Sequence, residues 1–328
     1  MKKLVLIDYL KGFSIFTIII MHLIQGYLSL PNIVNQASGF GGAGVHIFII
    51  CSGFGLFYSY LNKNLSYKEF LKKRFIKIYM PYILIILISA LIPYIYIYSD
   101  RIMAVLSHIF LFKMFIEKYE CSFGVQFWFL STIIQFYLIF ILLTKVKKKL
   151  NDDKKFMILS WGISLIWWII VFYLGKSNLR VWNSFFLQYL WEFSLGMVLA
   201  TKYYNSGKIN IPKKRLLVLG SVIGIILTGI TGIYGGYLKL FNDIPSVMGY
   251  GGIALLIFMV GSKYINTFFI NLSSISYELY LIHILVYKVT FKSFESMFNK
   301  YFIGILAIVF SIVLAYAYNK CRIFILKR

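Results

Sequence analysis

The chain has 328 residues, 60% of them hydrophobic and 19% aromatic, with a mean hydropathy of +0.80. A water-soluble globular domain does not have that composition. The net charge of +23 does not point to nucleic acid, because the basic residues cluster between apolar runs, as the positive-inside rule requires of a membrane protein.

Those runs are about twenty residues long, enough to cross a bilayer as helices. The chain therefore reads as all-α: a polytopic integral membrane protein forming a single transmembrane domain, residues 1–328. About ten spans are predicted, at 7–28, 43–61, 78–98, 126–144, 156–174, 184–203, 216–234, 245–262, 270–289 and 301–319. A shorter run at 103–116 is expected to be interfacial or re-entrant. Lys2 and Lys3, the basic segments 62–77, 145–155 and 202–215, and the tail with Lys320, Arg322, Lys327 and Arg328 then fall on one side. That side is the cytoplasm, with both termini on it.

The first run carries Asp8, Lys11 and His22, and no small-residue cleavage site follows it, so it is expected to stay as a helix. Eleven steps of ~100° put Lys11 and His22 within ~20° of one face, ~16 Å apart, roughly half the hydrocarbon thickness. Ionisable residues kept inside a membrane are functional-site hypotheses by default. A neutral imidazole at 22 suits a general base, or else bonds a neighbouring helix. Lys11 either serves a site or snorkels to the headgroups, and Asp8 is placed to neutralise it.

In the second run, Gly39 to Gly44 precede His46, and Ser52-Gly53 sit mid-helix, where small residues suggest close packing or a kink. His46 either shapes an acceptor site or sits at the interface. Lys73, Arg74 and Lys77 form either an inner-face anchor or a grip for a polyphosphate. Glu192 stands in an apolar run, where a carboxylate needs a partner or a proton. Ser276, Tyr280 and His283 share a helix face, with Tyr277 beside them. Cys51, Cys121 and Cys321 offer no evident disulfide, and no linear motif has metal-ligand spacing, so no metal is expected.

Five motifs now stand in order: Lys11-x10-His22, Gly44-Val45 through Ser52-Gly53-Phe54, Arg74-x-x-Lys77 through Pro81-Tyr82, Glu192-Phe193-x-x-Gly196, and Ser276-Tyr277-x-x-Tyr280-Leu281-x-His283. Together they resemble acyltransferase family 3, membrane proteins that acylate bacterial cell-surface carbohydrates. The resemblance implies O-acetyl transfer from cytoplasmic acetyl-CoA to a glycan hydroxyl across the bacterial cytoplasmic membrane. Its partners are then acyl-CoA, a carbohydrate acceptor and the lipid bilayer, without nucleic acid. It implies catalytic roles for Lys11 and His22, and donor binding by Arg74 and Lys77 with Lys73. Asp8, His46, Ser52, Glu192, Tyr277 and His283 are supporting candidates. Four departures are visible: lysine instead of the commoner arginine at 11, His46 where many members have an acid, Trp128-Phe129-Leu130 in place of a Trp-Ser-Leu form, and Ile133 and Ile134 where those members carry glutamates. The rival expectation is a transporter or exporter of a glycan or acyl intermediate, which intramembrane Lys, Glu and His residues also suit.

Overall fold

In a computed structural model that describes residues 4–63, 66–92 and 94–326, every regular element is a helix and no strand occurs among the described residues. In hydrocarbon no water meets an exposed backbone N–H or C=O, so long apolar segments must bond internally as helices. The helices are α1 Val5–Tyr27, α2 Asn32–Ser38, α3 Gly44–Asn62, α4 Tyr67–Arg74, α5 Met80–Leu91, α6 Arg101–Ile109, α7 Trp128–Leu150, α8 Asp153–Tyr173 and α9 Arg180–Asn183. They continue with α10 Leu190–Ser206, α11 Lys214–Tyr234, α12 Asp243–Val260, α13 Lys263–Ser273, α14 Ser276–Phe294 and α15 Lys300–Leu326. Polar residues start several of them. Ser66 and Glu69 form a capping box before α4, Asp152 accepts the Lys154 and Lys155 N–H groups, and Ser262 caps α13.

Among the described residues eight helical stretches are long and apolar enough to span a bilayer, or nine if α13 and α14, bent by 79° at their junction, count as one span. The expected span at 184–203 is a 3-10 turn followed by α10, whose 17 residues reach ~26 Å. The run at 103–116 is too short to span: α6 has 9 residues and a 3-10 turn follows at Lys113–Phe115. Many apolar side chains point outward, including Leu84 and Leu87 on α5, Ile158 and Ile166 on α8, and Ile305 and Val309 on α15. Water would penalise such faces, whereas lipid tails accept them. Lys2, Lys3, Lys327 and Arg328 of the expected basic termini lie outside the described residues.

The chain forms two compact units that interleave in sequence. The first comprises Met1–Gly42, Phe75–Trp128 and Ser262–Arg328, and here α1 packs on α13 and α14, and α14 on α15 and α5. The second comprises Ala43–Arg74 and Phe129–Gly261, built on the α3–α10 and α11–α12 pairs. At the α3–α10 crossing two glycines permit the approach. A Cβ on Gly53 would stand 2.1 Å from the Phe193 carbonyl oxygen, and one on Gly196 2.1 Å from that of Ile50. Close packing, rather than a kink, accounts for Gly53, because α3 runs unbroken through it.

Candidate functional site

In the first unit, α1 carries Asp8, Lys11 and His22 on one continuous helix. His22 Nδ1 lies 2.9 Å from Nε2 of His283 on α14, and the rings stack at 5.1 Å between centroids and 21° between planes. His283 is fully buried, its Nδ1 2.9 Å from the Leu279 carbonyl oxygen one turn back. The Tyr287 ring meets it edge-on, and the Tyr287 hydroxyl donates to the Ile19 carbonyl at 3.1 Å. Residues 261 positions apart thus form one imidazole pair. Asp8 and Lys11 are both half-buried, and among the described residues no ion pair joins them. Tyr277 donates to the Ile78 carbonyl, and Tyr280 to that of Gln126 at 2.8 Å, tying α14 to its neighbours.

In the second unit, His46 on α3 meets Glu192 on α10, with Nδ1 2.8 Å from Oε1. Its Nε2 lies 3.9 Å from Oδ1 of Asp243, the first residue of α12. Gln188 donates from Nε2 to Oδ2 of Asp243 at 2.8 Å and to the Leu240 carbonyl at 2.9 Å. Glu192 therefore has the partner that its apolar surroundings demand. Among the described residues His46, Glu192 and Asp243 form a set that could hold a metal ion, their ligand atoms all within 4.8 Å. Spacing does not display such a set, because it comes from three helices distant in sequence. Ser52, on the same α3, makes no hydrogen bond among the described residues.

Arg74 closes α4. Its guanidinium lies over the rings of Phe70 and Tyr137, at 5.4 and 5.6 Å, and its buried Nε has no partner among the described residues. Leu56, Ser59, Tyr60, Lys63, Phe70, Arg74, Phe140 and Ile141 line a small cleft there. Lys73 is exposed on α4. Lys77 falls in a π-helical turn, Phe75–Tyr79, so Arg74 and Lys77 are not related by the regular α-helical i, i+3 register.

A third cluster escaped the sequence reading. His108 on α6 is fully buried between Tyr82, whose hydroxyl meets Nδ1, and Ser122, whose Oγ lies 2.8 Å from Nε2. Ser122 donates to the Tyr119 carbonyl at 2.6 Å, so it accepts from His108 Nε2–H. Burial, reinforced by the Lys113 charge, holds His108 well below its usual pKa. Lys113 is itself fully buried, donates to the Glu120 carbonyl at 2.7 Å, and is pushed down by burial to about 7. Its neighbourhood includes Leu111 and Phe123, both at positive φ (60° and 52°). A lone histidine and lysine in a short apolar run give little warning. Only the helical turn Arg101–Ile109 and the return of the chain at 122 bring the partners together.

A family model described as an acyltransferase domain matches residues 4–319, nearly the whole chain and all the residues above. Neither curated proteins nor solved structures give a significant match.

Proposed function

The chain belongs to acyltransferase family 3, and on that footing we propose that this membrane acyltransferase moves an acetyl group from cytoplasmic acetyl-CoA to a hydroxyl of a cell-surface or exported glycan. The observation that carries the catalytic part is the His22–His283 pair: a half-buried imidazole held by a fully buried one, on a helix that also carries Lys11. In this reading the acceptor oxygen attacks the thioester carbonyl and His22 takes its proton. The C–S bond breaks as the C–O bond forms, and the proton passes to the departing CoA thiolate. The transfer is direct or passes through an intermediate acyl carrier. Lys11, ~16 Å along the helix from His22, acts on another part of the long donor, or at another stage, by countering negative charge.

Arg74 supports a donor-binding role. Its guanidinium lies over two aromatic rings, and among the described residues its buried Nε has no acceptor of the kind a phosphate offers. Lys73 and Lys77 add positive charge nearby in sequence. The bacterial cytoplasmic membrane and inside termini belong to the same proposal, through the basic segments 62–77, 145–155 and 202–215.

The test is CoA release by the purified protein in vesicles, with acetyl-CoA and with its analogue lacking the 3′-phosphate. Arg74→Ala should raise the KM for acetyl-CoA about tenfold or more, the worth of a charge-assisted hydrogen bond, and should narrow the gap between the two donors. An unchanged KM would remove Arg74 from donor binding. Failure to consume any acyl-CoA would remove the donor assignment.

A further inference from the structure

We propose that His283 is a positioning residue that fixes the tautomer of His22, leaving the lone pair of His22 on Nε2. One line of hydrogen bonds sets the tautomer. The Leu279 carbonyl has no hydrogen to give, so the contact at 2.9 Å requires His283 Nδ1–H to donate. A neutral imidazole protonated on Nδ1 has its lone pair on Nε2. That Nε2 faces His22 Nδ1 at 2.9 Å, so the only hydrogen available between the rings belongs to His22 Nδ1. His22 is thereby protonated on Nδ1, and its basic nitrogen is Nε2, on the edge of the ring turned from His283.

The alternative is an imidazolium at 283, with both its nitrogens donating. His283 is fully buried, and the polar groups that face it among the described residues are the backbone of Leu279 and Tyr280 and the His22 ring, none of them an anion. An unpaired charge there would carry a heavy desolvation penalty, so the neutral form holds. The carbonyl that sets the chain's direction lies one helical turn before His283 on α14, so it keeps its place as long as the helix is intact. The edge-on Tyr287 ring prevents the imidazole from swinging away. This is the service that an orienting carboxylate gives a catalytic histidine elsewhere. Here a backbone carbonyl and a second imidazole give it.

When His22 takes a proton on Nε2, positive charge spreads to Nδ1–H, which His283 already accepts. A side chain at 283 that cannot accept would leave that N–H buried and unbonded as the charge develops. The kinetic consequence rests on the acyl-transfer reading; the tautomer does not.

The protein has four histidines, so nitrogen-15 NMR of histidine-labelled protein in detergent can report each ring. The expected result is His22 carrying its hydrogen on Nδ1 in the wild type and in His283→Gln, whose amide oxygen can still accept, with a shift to the other tautomer in His283→Leu. The kcat should fall by about 10- to 100-fold in His283→Leu, as when the partner that orients a histidine is lost, and recover in part with glutamine at an unchanged KM. Wild-type His22 with its hydrogen on Nε2 would overturn the proposal whatever the variants do. So would a His283→Leu protein with the wild-type His22 signal and full kcat. If no acyl transfer is found with any protein, the acyl-transfer reading fails while the NMR comparison still decides the tautomer.

Discussion

Lys113 shows how far burial can move one side chain. It is fully enclosed, with a carbonyl rather than a carboxylate at its ammonium, and its pKa falls to about 7. An unfolded lysine titrates near 10.4. Between these values the unfolded segment binds more protons than the folded one, so stability rises with pH across that window. Below about pH 7 the full penalty of the buried charge is present and no longer varies. Resistance of segment 92–124 to limited proteolysis should therefore increase from pH 7 to pH 10, and Lys113→Met should flatten that rise. An identical rise in the variant would assign the effect to other groups. The contrast with His46 is instructive: two acidic side chains flank that imidazole, Glu192 at 2.8 Å and Asp243 at 3.9 Å. The need of Glu192 for a partner could be read from its apolar flanks. Which residue answers could not, because 146 positions separate it from His46.

Helices were legible because hydrocarbon leaves a long apolar run no other way to satisfy its backbone. The contact faces were legible only in part. Gly53 announced close packing, yet Gly55, two residues on, looks the same in sequence and meets nothing within 4 Å. Gly53→Ala should therefore cost about 1–3 kcal/mol, since a carbonyl 2.1 Å from the new Cβ forces α3 from α10. Gly55→Ala should be neutral or mildly stabilising through helix propensity. Unfolding midpoints in detergent compare the two, and equal midpoints would contradict the α3–α10 crossing. Neither glycine nor proline marks the 79° bend between α13 and α14. Pro81 has no N–H for the Lys77 carbonyl and so marks a break there, but not that the break takes the form of the π-helical turn Phe75–Tyr79. Local sequence reports which residues can be helical, whereas register shifts and bends answer to what packs against them.

At the scale of the whole molecule, the chain changes unit after residues 42, 74, 128 and 261 without a linker or a change of composition. That interleaving is invisible to a linear scan, because both units are built from the same kind of apolar runs and basic connections. Orientation rests on the basic segments, and the free cysteines test it. Cys121 and Cys321 are both exposed, one between α6 and α7 and the other near the end of α15. With ten spans and inside termini, Cys121 lies outside and Cys321 inside. A membrane-impermeant maleimide should label Cys121 in intact cells and reach Cys321 only after lysis. Labelling of Cys321 in intact cells would reverse the topology.

The proposed acylation of a glycan hydroxyl, with His22 as the base, is open to direct measurement. The most direct measurement supplies acetyl-labelled acetyl-CoA and a panel of surface glycans to membranes bearing the wild type or His22→Ala. Base-labile label on a glycan with the wild type, reduced by about 10²- to 10⁴-fold in His22→Ala, is the expected result for a lost general base. Equal labelling by both proteins would contradict the account and leave His22 a packing residue.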